Sequence, residues 1–119
     1  MRSDNETTDK AVAINGDRVD WSHQDAEGTW IVELMFRQSY GKEIKHVGMA
    51  LDGAGLPAVV VTESNALPWS VESTLVQKRD GKWEAETLPW APATNIVFDG
   101  QQRLHAVFAD KEGVKHAVR

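Results

Sequence analysis

The sequence predicts an all-β chain assembled from repeated four-stranded antiparallel units. Three observations carry that prediction. Apolar and β-branched runs of four to eight residues recur along the chain, bounded by Gly, Asp, Asn or Pro, which is the composition of short strands. Asp-Gly pairs separate several of these runs, at Asp52-Gly53, Asp80-Gly81 and Asp99-Gly100, and suit tight hairpins that need positive φ. The chain also repeats itself: Val47 to Val61 (VGMALDGAGLPAVVV) returns 47 residues later as Thr94 to Phe108 (TNIVFDGQQRLHAVF). Lys10 to Ile14 (KAVAI) matches Pro57 to Val61 (PAVVV) at the same spacing, as a partial third copy. Such a period belongs to architectures in which one supersecondary unit buries its apolar faces only against its neighbours.

Ten strands follow in order. The first, 10–14, is the partial third copy just described. Strands 18–23 and 29–36 are placed by likeness, since Arg18 to Trp30 is the counterpart of Ser73 to Trp83 and in both copies a strand continues from the tryptophan. Strands 46–52 and 57–62 flank Asp52-Gly53, strands 72–79 and 82–88 flank Asp80-Gly81, and strands 94–99 and 103–109 flank Asp99-Gly100. The last strand, 113–118, is a truncated copy of the 73–83 segment. The best helical window, Asp25 to Phe36, contains Gly28 and a β-branched pair, and the repeat assigns it to strands.

One unit is therefore four strands joined by short hairpins and ending in a Trp-led outer strand. Residues 1–119 form a single region with units at about 10–36 (partial), 46–88 (complete) and 94–119 (partial). The middle unit carries an extra loop, Ser64 to Ser70, and an insertion in one copy of a repeat is a common place for function. Four-stranded antiparallel units of this length are the blades of a β-propeller. The first unit lacks its innermost strand and the last its outermost, about two and a half blades, whereas closed rings have roughly four to eight. The expectation is an incomplete ring, either a piece of a longer chain or one of several copies that complete it. A ten-stranded β-sandwich explains the alternation but not the repeat.

Composition excludes several classes. A chain of 119 residues suits one domain, and 41% hydrophobic residues suffice for a core. Its 13 basic and 18 acidic residues give a net charge of -5, with the basic residues scattered singly, so no nucleic-acid footprint is expected. No apolar run approaches the roughly 18 residues of a membrane span, and the first ten residues lack the apolar stretch of a signal peptide. The absence of cysteine excludes disulfides, thiolate zinc and thiol catalysis.

Among residues with chemical potential, Asp52 and Asp99 occupy equivalent turn positions, and Asp25 and Asp80 are read as turn residues too. Glu33, Glu84 and Glu86 alternate with apolar residues, as solvated strand faces do. No acid and base pair emerges, and no catalytic residue is predicted. His23, His46, His105 and His116 lack His-x-His or His-x-x-x-His spacing, so neither a metal site nor a cofactor is expected. His105 stands in the repeat column of Ala58 and Ala11, near the ring interior, where a side chain meets a ligand. Trp30 and Trp83 open the last strand of their units and are expected to wedge between blades. Trp69 and Trp90 are not explained by the repeat; both follow proline, where a rigid indole stacks on a sugar face or anchors a protein partner.

The pattern Leu-Asp-x-x-Gly-x-Pro-Ala, an apolar strand, then Arg-Asp-Gly-x-Trp appears at Leu51 to Ala58 with Arg79 to Trp83, and its first part again at Phe98 to His105. It resembles bacterial propellers of the BNR/Asp-box-like class, whose members include sialidase-type and lectin-type proteins, over nearly the whole chain beyond residue 10. The strict box, Ser-x-Asp-x-Gly-x-Thr-Trp, is approximated: Asp25 and Thr29-Trp30 fit, with Glu27 at the glycine position and Gly28 one place late. The resemblance implies an extracytoplasmic setting. Sialidase-type chemistry would further imply three arginines clasping a carboxylate, an acidic residue and a tyrosine activated by a glutamate. The chain offers Arg37, Arg79, Arg103 and Arg119 with Tyr40 and Glu43, but no Arg-Ile-Pro element, and Arg79 and Arg119 share a repeat column. The leading expectation is thus a non-catalytic recognition module that binds glycan or protein, with Trp69, Trp90 and His105 as ligand contacts. The alternatives are a segment of a sialidase-like or other carbohydrate-active enzyme, and a structural scaffold.

Overall fold

The computed structural model describes residues 10–65, 70–88, 93–110 and 113–118, which form ten strands and no helix. The strands are β1 (Lys10–Asn15), β2 (Arg18–Gln24), β3 (Trp30–Arg37), β4 (Glu43–Leu51), β5 (Pro57–Asn65), β6 (Ser70–Arg79), β7 (Lys82–Thr87), β8 (Ala93–Phe98), β9 (Leu104–Asp110) and β10 (Gly113–Val118). They make three antiparallel sheets in the orders β1-β2-β3, β4-β5-β6-β7 and β8-β9-β10. The all-β expectation holds. Strands β5 and β6 continue into both ends of the extra loop of the middle unit, pairing as far as Asn65 and Ser70, whose side chains bond at 3.2 Å. No helix among the described residues is long and apolar enough to cross a membrane.

The sheets stack face to face with the four-stranded sheet in the middle. Along β5 successive side chains point to opposite sides. Val59 and Val61 enter a core with Val12, Val19, Trp21 and Met35 of the first sheet. Ala58 and Val60 enter a second core with Ile96, Leu104 and Ala106 of the third. All four β5 residues are 0–1% exposed. This explains the unbroken Ala-Val-Val-Val run: neither face of the strand meets water, so no polar alternation is required.

The hairpin turns show how the Asp residues act. At Asp25, Asp52 and Asp99 the Oδ1 atom accepts the backbone N–H two and four residues further on, at 2.8–3.0 Å. The Asp carbonyl accepts the N–H three residues on, and the Asp N–H donates to the carbonyl four residues on. One five-residue turn is thus built three times. Its left-handed residue is the fourth: Gly28 (φ 84°), Gly55 (φ 80°) and Gln102 (φ 62°). The expectation that Gly53 and Gly100 supply positive φ is therefore corrected, since the aspartate side chain closes the turn and moves the left-handed position two residues on. Asp80-Gly81 does behave as predicted, with φ of 51° and 76° between paired Arg79 and Lys82. Gln102 also ties two turns together, its Oε1 accepting the Gly53 N–H at 2.7 Å.

Burial also corrects the repeat register at the N-terminal end. The face of the second sheet that meets the third carries Ala58 and Val60, whereas the face of the first sheet that meets the second carries Val12. The 47-residue match aligns Val12 with Val59, on the opposite side of β5. A one-residue slip restores the facing, so Lys10, not Ala11, shares the column of Ala58 and His105. Strand period 2 makes such a slip a change of face.

Trp83 is half-buried against the first core, as expected of a residue wedged between sheets. Trp30 is not: it is 48% exposed, on the outer side of the first sheet where no described sheet packs. At the end opposite the Asp turns, the fully buried Glu63 carboxylate clasps the β3–β4 connection, accepting the Ser39 N–H at 2.7 Å and the Ser39 hydroxyl at 3.0 Å.

Three substitutions test this account. Val59→Ala and Val60→Ala, one on each face of β5, should each lower the unfolding free energy by about 2 kcal/mol, read by urea denaturation. Equal insensitivity at either position would mean that its core is not packed as described. Glu63→Ala should cost on the order of 2–3 kcal/mol, because the Ser39 donors lose a charged acceptor inside the protein.

Candidate functional site

Strand pairing gathers four turns at one end of the stack: 25–29, 52–56, Asp80-Gly81 and 99–103. Lys10, at the start of β1, lies there too, and a Cβ at Gly55 would come within 2.7 Å of Lys10 Nζ. Two polar clusters occupy this end, one between the first two sheets and one on the outer side of the third.

The first cluster surrounds a cavity of about 240 Å³ whose lining includes Lys10, Trp21, His23, Gln24, Glu33 and Lys78, with the backbone of the 52–56 turn. Glu33 is its hub. Lys78 Nζ donates to Oε1 at 2.7 Å and His23 Nε2 to Oε2 at 3.0 Å. The hydrogen bond from Lys78 is the largest cause holding the Glu33 carboxyl below its ordinary range; partial burial opposes it, and His23 and the Trp83 indole add to the lowering. An ionised Glu33 makes His23 Nε2 the donor of that bond. The His23 ring stacks on Trp21 with centroids 5.8 Å apart, and Lys78 Nζ sits 5.4 Å from the centre of the Trp83 ring. Glu33 is therefore not the solvated strand residue that alternation suggested. It shares a face with Trp21, its partner on β2, and that face is turned against the second sheet.

The second cluster contains the predicted His105. Its Nε2 donates to Asp99 Oδ2 at 2.8 Å, and its Nδ1 lies 2.8 Å from His116 Nε2. The two imidazoles stack with centroids 5.0 Å apart and planes 11° from parallel. Backbone donation from Arg103 is the largest cause that drops the Asp99 carboxyl far below the usual carboxylate range, with His105, Gln101 and the Arg103 side chain adding to it. The ionised carboxylate accepts only, so His105 Nε2 carries the hydrogen of that bond. The chain of bonds runs beside a cavity of about 300 Å³ lined by Ile96, Val97 and Val107 as well. His105 stands near the start of β9, on a sheet face whose counterpart in the second sheet, Ala58, is fully buried against a neighbouring sheet.

Trp69 and Trp90 lie outside the described residues. Asn65 and Ser70, which flank the segment of Trp69, pair at the end opposite the Asp turns. The arginines do not converge: Arg37 is paired with Arg18 and approaches Asp17 at 3.9 Å at that opposite end, while Arg79 and Arg103 lie at the turn end beside Gln77 and Asp99. Tyr40 is fully exposed beyond β3 and Arg119 lies outside the described residues. Among the described residues no group of three His, Asp or Glu is arranged to hold a metal ion. His23, Glu33 and Lys78 escaped sequence reasoning because they come from two sheets; their shared hint was Trp21 and Trp83 lying near them in the chain. No protein-family model, no curated protein and no solved structure matches the chain.

The lowered carboxyls of Glu33 and Asp99 set the sign of the pH dependence. A carboxyl depressed in the folded state adds stability above its unfolded pKa, about 4, and that stability is lost as pH falls toward the folded value. Glu33→Gln should therefore melt at a lower temperature than wild type at pH 7, and the gap between the two should narrow at pH 3. A gap unchanged between these pH values would remove the ionic role assigned to Glu33.

Proposed function

We propose that the chain is a run of β-propeller blades of the BNR/Asp-box-like class and serves as a non-catalytic recognition module for glycans, taken in the cleft between its first two sheets. The observation that carries this reading is the lining of that cleft: imidazole, carboxylate, amide and two ammonium groups converge beside indole rings at the turn-bearing end. Sugar recognition needs such a mixture of donors and acceptors on a rigid support. Lys78 uses one of its three donors on Glu33, and His23 spends only Nε2 on it. The side chains project from paired strands and a hydrogen-bonded turn, so little ordering accompanies binding. The stacking of three antiparallel sheets, each preceding face on the following face of its neighbour, supports the blade reading.

The experiment is a glycan array probed with the whole chain, followed by titration of the best sugar against His23→Ala. Retention of fold with at least tenfold weaker binding is the expected result. Loss of binding in Trp69→Ala or Trp90→Ala, with His23→Ala unaffected, would move the site to the opposite end. Turnover of a fluorogenic sialoside would replace recognition by catalysis.

A further inference from the structure

Two faces of the stack have no described sheet packed on them. On the outer side of the first sheet, Trp30, Val32 and Leu34 of β3 are 48%, 57% and 42% exposed. On the outer side of the third, Val97, Val107 and Val118 are 58%, 39% and 51% exposed. Single exposed apolar residues are ordinary, but rows of them across paired strands form a surface built for contact.

The chain holds its own template for what covers such faces. Within it, the following face of one sheet always lies on the preceding face of the next: the first on the second through Val12, Val19 and Trp21, the second on the third through Ala58, Val60 and Leu75. His105 and Val107 stand 47 residues beyond Ala58 and Val60, so the outer side of the third sheet is a following face. Trp30 opens the last strand of its sheet as Trp83 does, and Trp83 packs on the sheet before it, so the outer side of the first sheet is a preceding face. The two open faces are thus the two halves of the contact that the molecule already makes twice.

We infer that two copies of this chain associate head to tail, the third sheet of one lying on the first sheet of the other. The interface is heterologous: each copy uses two different surfaces. Light scattering behind size exclusion should give the mass of two chains or a multiple of it. Val32→Glu alters one face and Val97→Glu the other, both at exposed positions, so circular dichroism should be unchanged. Each variant alone should run as a monomer, since every contact it can make includes one altered face. An equimolar mixture of the two should regain a two-chain species, because one unaltered third sheet still meets one unaltered first sheet. A monomeric wild type overturns the inference, and the faces would then belong to another occupant. A Val32→Glu variant that still dimerises overturns it too, since the outer side of the first sheet would then not be used, and so does a mixture that stays monomeric, since an unaltered third sheet would then meet an unaltered first sheet without associating.

Discussion

The molecule depends on a strand that has no polar side. Between Ala58 and Val61 every side chain of β5 is withdrawn from water, two toward one neighbouring sheet and two toward the other. A sheet with such a strand at its centre is not stable with one face bare, because each exposed valine would forfeit about 1.5–3 kcal/mol of burial. The first and third sheets are needed as covers. Having covered it, each leaves its own second face in the condition from which it rescued the middle sheet. Stacking in this chain is thus a demand passed from sheet to sheet.

Polar ties decide how the covers sit. At one end Glu63 holds the connection between the first and second sheets through both Ser39 donors, and at the other Glu33 joins the same sheets through Lys78 and the Trp83 indole. Apolar packing alone tolerates sliding, whereas a carboxylate with directed donors fixes separation and register. Between the second and third sheets the Gln102 side chain reaches the Gly53 amide. That bond requires Gln102 to hold a left-handed backbone that its counterparts Gly28 and Gly55 adopt without strain.

The turn-bearing end acquires its chemistry from the same economy of parts. Asp25, Asp52 and Asp99 perform one structural task, closing a five-residue turn with Oδ1. Only Asp99 has its second oxygen drawn into a further chain of bonds, to Arg103 and His105. Repetition therefore supplies the frame, and departures from it supply individuality: a histidine where the sister unit has alanine, and a lysine at Lys10 in the same corrected column. The cleft of Lys10, His23, Glu33 and Lys78 arises where two non-identical units meet.

Strand positions and turns were largely legible in the chain, because both depend on neighbours within a few residues. Alternation, β-branched runs and Asp-Gly pairs sufficed to locate ten strands, and the repeat rejected a helix at Asp25 to Phe36. The departure of His105 from the alanine column was visible in the chain as well. What only the tertiary structure decided is which side of each strand is inside. A one-residue slip at β1 leaves the repeat nearly as convincing yet exchanges the faces, and it moved Ala11 out of the column and Lys10 into it. The same cause hid the Glu33 cluster and exposed Trp30. Facing is set by the sheet that packs across from a strand, tens of residues away in the chain, and period 2 converts any local ambiguity of one residue into the opposite answer.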